Sequence, residues 1–329
     1  MFQKKKIILS YDYELFFGDR SGTVLRSLIE PTNLLLDAMD SVSFKGNFFV
    51  DWQMLKYLKE ANTERTLADH QLIIDQLKDM VYRGHRIELH IHPHWVDAKY
   101  NGDGTWDFSE FRHYSLNSFS EKEIVDMFVE GTNLLTNIAR EVDSEYKIVA
   151  FRAGGWAVQP FDCLKRAFKE AGIKIDSSVA RGAYGKNKYS YFNFVDSPDG
   201  EMWRYENDVI IPDDKGEFIE VPISSYRRTI VYKGLDWLNK KVFNNLKCIT
   251  DGTHIRGDYQ EEPKPDNYVN YSRYTLSQRS ILSILLAFFV NDKDLITYID
   301  HPKDLSLSAL RAIKILSKYS NTVMYKSLL

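Results

Sequence analysis

Cysteine is nearly absent. The 329 residues contain two, Cys163 and Cys248, far apart and in no shared motif. This excludes a disulfide framework and a cysteine-bound metal, and both read as core thiols. An excess of one charge is also missing: 43 Lys and Arg face 46 Asp and Glu, a formal net charge of −3. No general field therefore draws the chain to nucleic acid or to anionic lipid. Long apolar runs are lacking too. The longest, Ile281 to Val290, is broken only by Ser283 and is too short for the roughly 20 residues of a membrane span, so it reads as a buried helix. The amino terminus starts basic, but its apolar run is only Ile7, Ile8 and Leu9, short of the roughly 7 residues of a secretory signal core. The expectation is a cytoplasmic chain with no membrane span and no nucleic-acid partner.

What is present is a rhythm. Short apolar runs alternate with amphipathic stretches, the pattern of β/α units around a parallel sheet or barrel. Strands are expected at Lys6 to Tyr11, Gly46 to Val50, His85 to His92, Lys147 to Phe151, Ile173 to Ile175, Phe218 to Ile223 and Asp294 to Asp300. Helices are expected at Asn33 to Asp40 and at Leu67 to Arg83, the latter stopped by Gly84. A further helix opens on the capping box Ser120-Glu121-Lys122-Glu123, and another follows Pro160 and ends before Gly172. Residues 97–119 read as a polar, aromatic loop. Residues 181–293 read as a long irregular insertion or lid within one domain spanning 1–329.

Four clusters stand at strand ends, where a barrel keeps its chemistry. In Gly84 to Trp95, three of the eight histidines, His90, His92 and His94, fall within five residues. If the chain stays extended, Glu88, His90, His92 and His94 share a face; if it turns at Pro93, His90 and His94 can still converge. Neutral imidazole is a common ligand of divalent transition metals. In Ser10 to Glu14, Asp12 and Glu14 follow an apolar run and are spaced to share a face. Two close carboxylates repel unless a cation or a shared proton separates them. In Phe151 to Trp156, Arg152 ends a strand and needs a carboxylate partner if buried, while Gly154 and Gly155 permit close backbone approach to a ligand. In Tyr298 to Pro302, His301 ends an apolar strand.

In order, these pieces resemble the polysaccharide deacetylase family, the NodB-homology carbohydrate esterases. The resemblance covers about residues 6–178 and 294–304. It implies an α/β fold, a distorted, incomplete (β/α)7 barrel, and a metal-dependent hydrolase that removes an acetyl or other acyl group from an amino sugar or sugar ester. It places Asp12 as base, Arg152 as the residue that orients it, His301 as late catalytic histidine and Asp176 as the later aspartate, steering His301. Glu14, His90 and His94 would hold a divalent metal ion, with zinc expected and His92 a competing ligand. The second aspartate of the family is Tyr13 here, and the Arg-x-Pro proline is Gly154. A backbone N–H near Gly154-Gly155 would stabilise the oxyanion. The implied substrate is a carbohydrate: a polysaccharide, a lipid-linked glycan or a nucleotide sugar, in surface polysaccharide or glycan metabolism. Trp95, Tyr100, Trp106, Tyr114 and Trp156 are candidate sugar-stacking rings. Competing readings are hydrolysis of a non-sugar amide or formyl group, and a non-catalytic carbohydrate-binding protein on the same fold.

Overall fold

The computed structural model describes residues 4–18, 20–242, 247–254 and 262–329. The apolar runs form the strands of one curled sheet: β1 (Lys5–Tyr13), β2 (Asn47–Asp51), β3 (Arg86–Ile91), β4 (Ala150–Ala153), β5 (Ile175–Asp176), β6 (Trp203–Tyr205), β7 (Phe218–Glu220), β8 (Leu295–Asp300) and β9 (Ser320–Thr322). Their order is β6-β7-β5-β4-β3-β2-β1-β8, with β9 also on β1. Every pairing is parallel except β6 with β7. β8 and β6 end the row unpaired with each other, so the barrel is incomplete. The seven expected strands correspond to β1 to β5, β7 and β8; β6 and β9 are additional short strands.

Helices α1 (Glu30–Asp40), α2 (Trp52–Ala61), α3 (Glu64–Tyr82), α4 (Glu121–Arg140), α5 (Asp162–Ala171), α6 (Ile230–Val242), α7 (Ile281–Val290) and α8 (Leu307–Leu316) accompany the sheet. The capping box at Ser120 forms in both directions, and α5 stops where Gly172 takes φ +73°. Gly84, at φ +80°, turns the chain from α3 into β3. There His85 Nδ1 accepts the Gly46 N–H at 3.0 Å, tying the start of β3 to that of β2.

Alternation along the strands decides what each face carries. One set of residues, including Tyr11, Phe48, Leu89 and Phe151, packs in the large core with the helices. The other set points into the barrel. At its lower end Ile8, Phe49, Ala150, Ile175, Ile219 and Leu295 form a small apolar cluster around Tyr325. Two to six residues further along each strand, on that same face, stand Ser10, Asp12, Glu14, Asp51, His90, Arg152 and His301.

Three expectations need correction. α7 is not buried all round: Leu282, Phe289 and Val290 are 60%, 55% and 68% exposed, because only one side of this helix meets the core. Cys163 and Cys248 are half-buried rather than core thiols. Residues 181–293 are more regular than expected. Besides the expected β7 and α7 they supply β6, α6, a hairpin of Tyr184–Lys186 with Tyr191–Asn193, and an antiparallel pair of strands distant in sequence, Ser225–Arg227 with Tyr271–Arg273. No helix among the described residues is long and apolar enough to cross a membrane.

Candidate active site

Asp12 and Glu14 leave the end of β1 two residues apart and both point inward. Tyr13 points the other way and donates to Gln76 Oε1 at 2.8 Å, so it cannot face a ligand shared with Asp12. Both carboxylates are buried, and each has a dedicated cation.

Arg152, at the end of β4, is wholly buried. Its Nη1 donates to Asp12 Oδ1 at 2.6 Å. Its remaining donors go to Ser10 Oγ at 2.8 Å, Ser177 O at 2.8 Å and Ser177 Oγ at 3.1 Å, and its guanidinium lies 4.2 Å from the Phe49 ring. Burial alone would raise the Asp12 carboxyl, but Arg152, then His90 and His301, hold it below the usual carboxylate range.

Glu14 is divided between two sets of partners. Lys303 Nζ donates to its Oε1 at 2.7 Å and to Leu15 O at 2.8 Å. Its Oε2 faces His90 Nε2 at 3.0 Å and His92 Nε2 at 2.7 Å. Against the cost of burial, Lys303 and His92 hold the Glu14 carboxyl well below its usual range. Burial pulls His90 down, but Asp12 and Glu14 outweigh it and push its pKa up to about 9. His90 Nδ1 is 2.7 Å from Arg152 O, to which it donates. That bond fixes the ring and aims Nε2 inward.

His301 follows β8. Its Nε2 lies 3.5 Å from both Asp12 Oδ2 and Glu14 Oε1, and its Nδ1 is 3.6 Å from Asp304 Oδ2. Its side chain is 27% exposed, which makes it the member of the group that meets solvent.

Two sequence assignments come out differently. His94 does not join Glu14 and His90; His92 does. Pro93 starts a short 3-10 turn, Pro93–Asp97, so the alternation of β3 ends at His92. The His94 ring is turned among Phe17, Phe108 and Tyr114, with neither nitrogen hydrogen-bonded. Asp176 does not reach His301. It accepts from Ser178 Oγ at 2.7 Å and pairs with the carboxyl of Glu220, and burial raises both acids, Glu220 well above its usual range. Asp304 takes the place beside His301.

The structure also brings in residues that the motifs did not. Lys303 is 3% exposed and neutralises Glu14. Asp51, at the end of β2, accepts from Trp95 Nε1 at 2.6 Å, and its burial near Glu14 pushes it up to about 7. The strand-end rule that found Asp12 applies equally to Asp51. Glu88 serves the sheet: its Oε2 accepts from Val149 and Ala150 N–H at 2.8 and 2.9 Å. Gly154 lies where a side chain would force its neighbours to shift, since a Cβ would stand 2.6 Å from Ile91 O and 2.7 Å from His92 Nδ1.

Glu14, His90 and His92 offer one carboxylate oxygen and two imidazole nitrogens, all within 4.8 Å of one another. This mixed nitrogen and oxygen set, with one histidine already anchored through its other nitrogen, fits a divalent transition metal. Two cavities adjoin the group. One, of about 470 Å³, is lined by His301, Asp300, Asp304, Trp156, Arg273 and Arg279, among others. The second, of about 390 Å³, shares Trp156, Tyr271 and Arg273 with it and adds Phe17, Tyr114 and further aromatic rings. Of the expected sugar-stacking rings, Tyr114 and Trp156 line a cavity beside the site. Trp95 and Trp106 are packed against each other in the core, and Tyr100 lies on a separate surface hollow.

No family model and no curated protein matches the chain. Solved structures do. The chain resembles polysaccharide deacetylases. It is similar to a protein named as a polysaccharide deacetylase from Mycobacterium smegmatis (TM-score 0.48, 12% identity, 97% of this chain and 87% of that one). It is also similar to a family 4 carbohydrate esterase from Streptomyces lividans (0.41, 10%, 96% and 87%) and a peptidoglycan deacetylase from Bacillus subtilis (0.40, 12%, 98% and 90%).

Proposed function

We propose that this protein is a metal-dependent carbohydrate deacetylase. The observation that carries the reading is the meeting of Asp12, Glu14, His90, His92, Arg152 and His301, from four separate strand ends, within hydrogen-bonding or near-contact distance beside a cavity. Glu14, His90 and His92 would hold the cation. A divalent cation supplies Lewis acidity toward an acyl oxygen and lowers the pKa of water from about 15.7 toward about 7. Asp12, kept ionised by Arg152, accepts the proton of the attacking water. His301, oriented by Asp304 and closest to solvent, donates a proton from Nε2 to the departing nitrogen or oxygen of the sugar. Trp156 and Tyr114 offer faces for the sugar ring.

The test combines metal analysis with acetate release from acetylated amino-sugar oligosaccharides. His90→Ala and His92→Ala lose bound zinc while keeping their circular dichroism. Asp12→Asn keeps metal and loses turnover by about 100-fold or more. A wild-type protein that takes up no divalent metal and releases no acetate would refute the proposal.

One observation favours a second reading, a non-catalytic carbohydrate-binding protein. Lys303 already neutralises Glu14 without any metal. On that reading sugars bind with no metal present and none is taken up.

A further inference from the structure

Arg273 sits where the two cavities meet. It belongs to the antiparallel strand pair Ser225–Arg227 with Tyr271–Arg273, and the next residue is tied to β8: Tyr274 O accepts the Ile299 N–H at 2.9 Å. Arg273 is thereby held near His301, and both line the larger cavity. Its guanidinium stacks 4.5 Å from the centre of the Trp156 ring. It has no ion pair and no side-chain hydrogen bond to any described residue. Other inward arginines of this protein are paired: Arg152 with Asp12, Arg86 with Glu88.

Its described neighbours do not supply the missing partner. Among its described lining residues, the smaller cavity has three cations, Lys186, Lys264 and Arg273, and no carboxylate. Lys186 is paired with Glu262, and Lys264 lies over Tyr268. In the larger cavity, Asp300 and Asp304 are committed elsewhere. Asp300 accepts the N–H groups of Leu276, Ser277 and His301, and Asp304 accepts from His254 and Gln278 and faces His301. Arg279, on the same wall, shares Asp236 with Arg228, and its Nε is buried without a hydrogen-bond partner. A guanidinium presents a rigid fork of donors suited to the paired oxygens of a phosphate or carboxylate.

We propose that Arg273 is an anion subsite, and that the sugar taken by this site carries an oxyanion, a phosphate or a carboxylate, held on Arg273 while the sugar face rests on Trp156. This assignment of substrate class rests on the reading of the site as a deacetylase. The fork of Arg273 binds the oxyanion, and the reacting group points toward His301.

Equilibrium binding tests this without turnover. The titrants are N-acetylglucosamine, its 1-phosphate and its 6-carboxylate, added to chelator-treated protein in a calorimeter. Wild type binds at least one anionic sugar about 10-fold or more tightly than the neutral sugar, the scale expected for a charge-assisted hydrogen-bond pair. A gap for the phosphate alone, the carboxylate alone or both names the oxyanion. Arg273→Gln abolishes the gap, the anionic sugar losing more affinity than the neutral one. If that variant does not fold, Arg273→Lys should shrink the gap, and sodium chloride should narrow it in wild type. Equal affinity for neutral and anionic sugars, or a gap that survives in Arg273→Gln, overturns the proposal. Acetate release without a gap sinks the subsite alone; a gap without acetate release or metal uptake sinks the deacetylase reading alone.

Discussion

Replacing Arg152 by Met should destabilise the protein by about 3 to 5 kcal/mol, the cost of removing one partner from a buried ion pair. The structure locates this cost. Arg152 is fully buried, donates to Asp12, Ser10 and Ser177, and lies against Phe49. Met keeps much of the volume and removes every donor, so the Asp12 carboxylate is left buried with its chief cation gone. If that stranded charge is the main cost, Asp12→Asn should relieve it. The double variant should then be more stable than Arg152→Met alone by about 1 to 3 kcal/mol, the penalty of an unsatisfied buried group. The pH dependence has a definite sign. The folded protein holds Asp12 below its ordinary pKa, so the pair contributes stability above about pH 4 and loses it as pH falls and Asp12 protonates. The gap between wild type and Arg152→Met should therefore be widest near neutrality and close toward acid. Urea denaturation followed by tryptophan fluorescence, from neutral pH down through about pH 4 to about pH 3, measures all of this. A loss below about 1 kcal/mol for Arg152→Met, or a double variant less stable than the single one, would show that the pair is not what holds this face together.

Three further outcomes follow from neighbouring residues. His94→Ala should take up zinc like wild type, in contrast to His90→Ala and His92→Ala, because its ring is packed among Phe17, Phe108 and Tyr114; metal analysis by mass spectrometry decides it. Gly154→Ala should cost about 1 to 3 kcal/mol in urea and weaken metal uptake, since its Cβ would press on Ile91 O and His92, whereas Gly234→Ala, with open space around it, should be neutral or slightly stabilising. His85 is held neutral, burial drawing its pKa down to about 4 from an ordinary value of about 6.5. Its contribution is present above about pH 6.5 and fades as pH falls toward about 4, by about 3 kcal/mol at most, so His85→Gln should flatten the acid limb of a stability-against-pH curve.

Much of this site is legible in the sequence because strand alternation and strand ends are local properties. Ile8, Ser10, Asp12 and Glu14 along β1, and Ala150 and Arg152 along β4, keep the inward face, and an apolar residue below with a charged one above is visible in the letters. Legibility stops where a side chain's fate depends on a distant segment. His94 has the spacing of a ligand, yet the turn at Pro93 ends the alternation and carries it among rings from residues 17, 108 and 114. Asp176 ends a strand as expected, but β7 arrives alongside and gives it Glu220 as a partner. α7 is apolar on every side, and only its neighbours determine which side stays covered.

Lys303 shows why the electrostatics of the group resist reading most. In the sequence it is one lysine among 43 basic residues, four places before a helix. Only the docking of the Pro302–Asp304 turn against the end of β1 buries it on Glu14. There it performs a task that sequence reasoning left to a cation or a shared proton, the separation of two close carboxylates. With Arg152 on Asp12 and Lys303 on Glu14, neither acid needs a further cation to stay ionised. What remains for a metal is the other oxygen of Glu14 and the inward nitrogens of His90 and His92, so on the proposed reading its role is chemical rather than structural. The protein should accordingly stay folded when stripped with a chelator, keeping its circular dichroism and most of its urea midpoint while losing turnover. Collapse of the fold on metal removal would show that the two cations do not balance the site.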